Sequence, residues 1–298
     1  MEVKKVAVVG AGTMGNGIAI QSAISGFDTR CFVRKPEKRE KAKAYAETYI
    51  AKQVKKEKIT QEQADKASSN LVYSDTLADA VKDVDLVIEA VVDVLSVKQD
   101  IIAEIDALTP DHTIFASNSS YIVASRFADA AKDPSKVANL HFFNPPLIMK
   151  LVEVVRGPHV SDDTVDTLVQ YVKDIDHIPA TVNKEVYGFI VNRIFSAITK
   201  EACYIYDQDI ANYEDIDNAV KYALNHPMGP FALLDMTGID LEYDVLTEKY
   251  KLTGDLADKP SVTLVEHYAK GEYGLKTGLG FYKYDENKKP IGQNELKK

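Results

Sequence analysis

Four residues have the types and placement to do chemistry: His141, Glu153, Ser120 and Asn192. His141 closes the apolar run "KVANLH" and is followed by "FFNPP", whose prolines stop the strand. Glu153 lies in "MKLVEVV", the next extended run. A carboxylate on one imidazole nitrogen fixes the tautomer and leaves the other nitrogen free to exchange a proton. Ser120 belongs to "FASNSSY", with Ser117, Asn118 and Ser119, after an earlier apolar run. Alone, such a cluster more often caps a helix. Singly, His141 reads as a core histidine and Glu153 as a surface residue. Asn192, in "GFIVNRI", opens a helical region and offers a further polar group.

These residues need a scaffold that gathers them. Apolar runs at 3–9, 28–33, 71–74, 84–89, 113–117, 137–141, 150–155 and 178–182 read as strands. Helical periodicity fills most gaps between them, notably 13–25, 37–56 and 94–107. Strand–helix alternation of this kind predicts an α/β fold: a Rossmann-like, mainly parallel sheet with helices on both faces. The pattern then changes. Helices are expected at 186–207, 214–224, 230–250 and 261–269, with no strand until "GFYKY". The expected division is therefore 1–185, a Rossmann-like domain, and 186–298, an all-α domain. The lysine-rich C-terminus reads as a loose tail.

"VAVVGAGTMGNGIA" supplies the reason to expect a dinucleotide. Gly10, Gly12 and Gly15 follow a strand and open a helix, with Thr13 and Met14 in the same turn. Gly10 allows the tight turn, Gly12 lets the backbone approach a pyrophosphate, and Gly15 lets helix and strand pack closely. The unpaired N–H groups of the helix N-terminus then face the anion. An NAD-binding fold usually places an acid about 20 residues on, at the end of the second strand. That position is Val33, followed by Arg34 and Lys35. Two cations without the acid suit a 2′-phosphate, so NADP is the expected cofactor and NAD the alternative.

Composition narrows the partners. The chain has 298 residues, enough for two domains, and a net charge of −9, which argues against a general nucleic-acid or membrane-surface role. The opening "MEVKKVAVVGAG" reads as strand and turn rather than a signal peptide. Cys31 and Cys203, the only cysteines, match no metal or redox spacing, so no metal is expected and a reducing cytoplasm is. Lys52, Lys55 and Lys56 fall on one helical face, either a solvated surface or a landing site for phosphates.

"GAGTMG", "SNSS", "HFFNPP", "MKLVEVVRG", "GFIVNRI", "NHPMGPFALLDMTGIDL" and "KTGLGFYKY" occur in the order seen in the L-3-hydroxyacyl-CoA dehydrogenases. Over almost its whole length the chain resembles that family, and most of all its small bacterial 3-hydroxybutyryl-CoA dehydrogenases. The resemblance implies that His141 is the general acid/base, Glu153 its partner, and Ser120 and Asn192 contacts to the substrate. It implies cofactor contacts at Asp93, Lys98, Asn144 and Lys276 beside the glycine loop, and CoA contacts in the lysine-bearing helix, at Lys52 and Lys56. An acyl-CoA partner follows. A homodimer formed through the C-terminal domain is expected from "GFIVNRIFSAITKEACYIYDQDIA", which is too apolar for one narrow stripe and needs cover on more than one side. Departures from the family pattern are Ser119 for Thr, Asp93 for Glu, Tyr121 for a small or aliphatic residue, and Val33 for the ribose-binding acid. The competing readings are a related dehydrogenase of free hydroxy acids and a non-catalytic dinucleotide-binding redox sensor.

Overall fold

The computed structural model describes residues 1–294; the end of the expected tail, 295–298, lies outside the described residues. The chain divides into two compact units, Met1–Ile190 and the remainder from Val191.

The first unit is built on β1 (Lys5–Val9), β2 (Asp28–Phe32), β3 (Leu71–Ser74), β4 (Leu86–Glu89), β5 (Ile114–Ser117), β6 (Val137–Phe142), β7 (Leu151–Val155) and β8 (Ile178–Val182). They form one sheet in the order β3-β2-β1-β4-β5-β6-β7-β8. Every neighbouring pair is parallel except β6 and β7. Its central strands are apolar on both faces because helices cover both. Val6 and Val8 join Leu168 and Tyr171 in one core, whereas Ala7 and Val9 join Ile101, Ile105 and Phe127 in another. The helices are α1 (Thr13–Ile24), α2 (Pro36–Lys55), α3 (Gln61–Asn70), α4 (Leu77–Val81), α5 (Leu95–Asp106) and α6 (Asp162–Asp174). A Thr60–Gln63 capping box starts α3, and the Ser161 side chain caps α6. Because β1, β4, β5 and β6 run parallel, their C-terminal ends share one edge of the sheet. That edge receives the glycine loop, Glu89, the serine cluster and His141.

The second unit packs α7 (Val191–Asp207), α8 (Tyr213–Ala223), α9 (Pro230–Thr237), α10 (Ile239–Thr253) and α11 (Val262–Lys270) around Phe231, Phe281 and Tyr213. A small antiparallel pair, β9 (Tyr282–Tyr284) and β10 (Pro290–Gln293), closes it. Three sequence expectations change. The first helix begins at Val191, not 186, because Gly188 and Phe189 have φ of 75° and 47°. The helix expected over 230–250 is two helices, divided at Gly238 with φ of 110°. The structure also holds β10, which the sequence reading passed over.

Glu242, on α10, is buried, and its Oε1 has no hydrogen-bond partner among the described residues. Burial pushes its carboxyl up to about 7. The folded state therefore binds this proton more tightly than the unfolded chain, whose value is about 4.3. The associated stability is complete below the unfolded value and is lost as pH rises through about 7. Glu242→Gln is expected to stabilise the protein at pH 8 by roughly 2–3 kcal/mol and by much less at pH 5. Urea unfolding at both pH values checks this, and an equal gain at both would contradict it.

Candidate active site

The centre of the site is a consequence of strand register. In the antiparallel pair β6–β7, His141 lies directly opposite Glu153. Their neighbours Leu140, Phe142, Val152 and Val154 point into one core. Period-two alternation then sends His141 and Glu153 together to the other face. Both are buried, at 3% and 0% exposure. Nδ1 of His141 is 2.7 Å from Oε2 of Glu153. The other carboxylate oxygen accepts the N–H of Ile190 at 2.9 Å. A carboxylate is acceptor-only, so Nδ1 carries the proton and Nε2 is left for chemistry. Phe143 and Phe189 pack on the imidazole, with ring centroids 4.5 and 5.5 Å away.

Nε2 meets the hydroxyl of Ser120, 2.9 Å away. The turn carrying Ser120 is tied on both sides. Asn118 Oδ1 accepts the N–H of Phe142, and Ser119 Oγ accepts that of Ile122. Asn139, buried on β6 two residues before His141, accepts the N–H of Ala124 and donates to the carbonyl of Ile122. The sequence reading missed Asn139. Its signal was a lone polar residue inside an apolar strand.

At the same edge, the glycine loop fits a dinucleotide. Gly10 has φ of 106°, and a Cβ there would stand 2.6 Å from the carbonyl oxygen of Ala90. A Cβ on Gly15 would stand 1.8 Å from the carbonyl oxygen of Gly10. Gly12, by contrast, has nothing among the described residues within 4 Å of its would-be Cβ, and no described side chain caps the helix it begins. Open space thus lies over the bare N-terminus of α1, at Thr13 and Met14, where an anion is favoured.

A second polar group sits at the ends of β4 and β5. Glu89 is buried and accepts from Val91 N–H at 2.7 Å, Ser117 Oγ at 2.7 Å and Lys98 Nζ at 2.9 and 3.0 Å. Lys98, 1% exposed, also pairs with Asp93 at 3.0 Å. Asp93 is the exposed member of this group. Sequence reasoning singled out Asp93 and Lys98 but missed Glu89, an acid closing an otherwise apolar strand.

The remaining candidates are more dispersed. Val33 is buried at the end of β2, while Arg34 and Lys35 are exposed, with no ion pair among the described residues. Lys52 and Lys56 are exposed at the end of α2. Asn144 is exposed on the turn after β6. Asn192 and Lys276 belong to the second unit, the former half-buried at the start of α7 and the latter 2.7 Å from both oxygens of Asp240. No group of His, Cys, Asp and Glu able to hold a metal occurs among the described residues. No described helix is long and apolar enough to cross a membrane.

Comparison with known proteins agrees with this geometry. Residues 5–186 match the NAD-binding domain of 3-hydroxyacyl-CoA dehydrogenases, and residues 188–284 match their C-terminal domain. A 3-hydroxybutyryl-CoA dehydrogenase of Clostridioides difficile is 37% identical over 94% of this chain and 99% of its own. The mitochondrial hydroxyacyl-coenzyme A dehydrogenase of Homo sapiens is 37% identical over 95% of this chain and 91% of its own. The crystal structure of the (S)-3-hydroxybutyryl-CoA dehydrogenase from Ralstonia eutropha superposes with a TM-score of 0.91 at 34% identity, covering 96% of this chain and 100% of that one. A two-unit chain with a glycine loop, a buried histidine–glutamate pair and these likenesses along its length belongs to the 3-hydroxyacyl-CoA dehydrogenase family.

Proposed function

We propose that the protein interconverts a short-chain (S)-3-hydroxyacyl-CoA, 3-hydroxybutyryl-CoA foremost, and the corresponding 3-oxoacyl-CoA. The observation that carries this reading is the His141–Glu153 pair with Ser120 on Nε2, at the sheet edge that also holds the glycine loop. In oxidation, Nε2 of His141 takes the hydroxyl proton, and Glu153 holds the imidazolium that forms. In reduction the same nitrogen returns the proton. When bound, the nicotinamide supplies the hydride chemistry, and the chain supplies position and the proton. Ser120 and Asn192 act as polar contacts that orient the substrate and steady charge on its oxygens. Lys52 and Lys56 receive the CoA phosphates.

The residues present fit a dinucleotide. The loop from Gly10 to Gly15 would take the pyrophosphate on backbone N–H groups. Asp93, held by Lys98, would accept from a ribose hydroxyl, and Asn144 and Lys276 complete the contacts. For the adenosine end we infer NADP(H) over NAD(H), with NAD as the alternative. Buried Val33 offers no acceptor for ribose hydroxyls and no charge to repel a phosphate. Arg34 can grip a phosphate with two parallel hydrogen bonds, and Lys35 adds a second cation. The expected preference is about tenfold (~1.4 kcal/mol), since exposed charges are screened. Steady-state reduction of acetoacetyl-CoA with NADPH and NADH in parallel tests both levels. Turnover supports the reaction, and a faster rate with NADPH supports the cofactor assignment. Higher catalytic efficiency with NADH contradicts the cofactor assignment alone, and Val33→Asp with Arg34→Ile should reverse the preference.

We also infer a homodimer through the helical unit. Ile194 and Tyr204 of α7 are 57% and 55% exposed, and Ala197 lies exposed between them on the same side of the helix. Such a face needs cover, and two-fold pairing is the commonest way to supply it. Light scattering at micromolar concentration should give twice the chain mass; a monomeric mass would contradict the assignment. Burial pushes the thiols of Cys31 and Cys203 up to about 12, so both are unreactive, and a cytoplasmic setting suits them.

A further inference from the structure

The two loops that reach the histidine–glutamate pair carry a pair of rings with no part in the proton chemistry. Tyr121 directly follows Ser120, and its ring centroid lies 4.7 Å from that of Tyr187, with the planes inclined at 34°. Tyr187 opens the short segment that places Phe189 against His141 and the Ile190 N–H on Glu153. The two tyrosines therefore bridge the two loops that flank the histidine–glutamate pair. One loop reaches the pair through Ser120, the other through Phe189. Both tyrosines are half-buried.

The chemistry of the substrate says which part of it these rings suit. Carbon 3 of a 3-hydroxyacyl thioester carries an oxygen, a hydrogen, the methylene that leads to the thioester, and the acyl chain. The oxygen belongs at His141 Nε2 and Ser120 Oγ, which already face each other. The hydrogen must face the dinucleotide, at the ends of β1 and β4. Tyr187 follows β8, which is separated from β1 in the sheet by β4, β5, β6 and β7. Tyr121 follows β5 and Tyr187 follows β8, on either side of the β6–β7 pair that carries His141 and Glu153, so the ring pair joins the two flanks of that pair. Of the two groups left, the thioester carbonyl seeks hydrogen-bond donors, whereas an alkyl chain suits the faces of two rings.

We propose that Tyr121 and Tyr187 form an aromatic wall that ends the acyl pocket and makes the enzyme select short acyl groups. The proposal rests on the acyl-CoA reading above and deepens it. A wall of two rings in mutual contact yields less readily than a single side chain, because neither can move without displacing the other. A chain extended by two carbons must therefore displace a ring or be excluded, which at one to two methylenes corresponds to roughly ten- to hundredfold discrimination.

The test is kcat/KM for acetoacetyl-CoA, 3-oxohexanoyl-CoA and 3-oxooctanoyl-CoA in the wild type and in Tyr121→Ala, Tyr187→Ala and Tyr121→Phe. The wild type should fall about tenfold or more from four to six acyl carbons. Either alanine variant should narrow that ratio by about tenfold, with most of the change in KM for the longer substrates. Tyr121→Phe should keep the wild-type ratio, because the ring and not the hydroxyl makes the wall. A wild type that handles all three substrates alike would overturn the wall. So would active alanine variants with an unchanged ratio. Absence of turnover with every acyl-CoA would instead overturn the reaction assignment, so the two failures are distinct.

Discussion

His141→Gln is expected to lower turnover by about 10²–10⁴-fold, the usual worth of a positioned acid/base, while cofactor affinity stays near that of the wild type. Glutamine is polar and fits a buried site, but it cannot carry a proton to or from the substrate. The glycine loop follows β1, while His141 lies on β6, with β4 and β5 between them in the sheet. The substitution should therefore act on kcat rather than on dinucleotide binding. Glu153→Gln should lose turnover as well. The amide oxygen still accepts from Nδ1–H, but the negative charge that holds the imidazolium is gone. Steady-state rates beside a fluorescence titration of the cofactor check both variants. Wild-type turnover in His141→Gln would rule out the proton role.

Gly15→Ala should cause the second large loss. Its Cβ would stand 1.8 Å from the carbonyl oxygen of Gly10 and 3.2 Å from the Ala90 side chain. The overlap is with backbone rather than with the end of a flexible side chain, so relieving it requires α1 and the loop to move apart. The expected cost is about 3 kcal/mol or more of stability. Cofactor affinity should fall at least about a hundredfold, since the N–H groups of the loop move apart. Gly12→Ala is the contrast. A Cβ there would meet nothing within 4 Å among the described residues and its φ is −69°, so the fold should tolerate a methyl group. The methyl would enter the space assigned to the pyrophosphate, lowering affinity without lowering the melting temperature. Thermal unfolding and cofactor titration on the two variants separate packing from ligand contact, and equal behaviour would contradict the division of roles.

Much of this architecture is legible in the chain because its signals are local. All eight strands of the sheet announce themselves as apolar runs, and "GAGTMG" declares the loop by its spacing. The His141–Glu153 pair is nearly as readable, since only residues 143–150 separate the two strands and their register does the rest. Features that depend on distant partners are harder to read. Glu89 looks like the polar end of a strand until Ser117 and Lys98 reach it from β5 and α5. Asn139 likewise acquires meaning only from the Ser119–Ala124 turn that it pins. In "LLDMTGIDL" the apolar spacing runs straight through Gly238. A positive φ leaves no mark on that spacing, so the break between α9 and α10 is invisible to it. In β10, Pro290 and Gly292 mask a strand that exists only because β9 pairs with it. Tyr121 stood out by type alone, and its partner Tyr187 appeared only once β5 and β8 were placed in one sheet.

The most direct test of the central claim follows the hydrogen on carbon 3. (S)-3-Hydroxybutyryl-CoA deuterated at that carbon is incubated with the protein and oxidised cofactor, and the reduced cofactor is analysed by mass spectrometry. Hydride transfer beside His141 predicts that the deuterium appears in the cofactor, in step with formation of acetoacetyl-CoA, and that free 3-hydroxybutyrate gives no such transfer. Deuterium lost to solvent, or an unreduced cofactor with the thioester intact, would contradict the account.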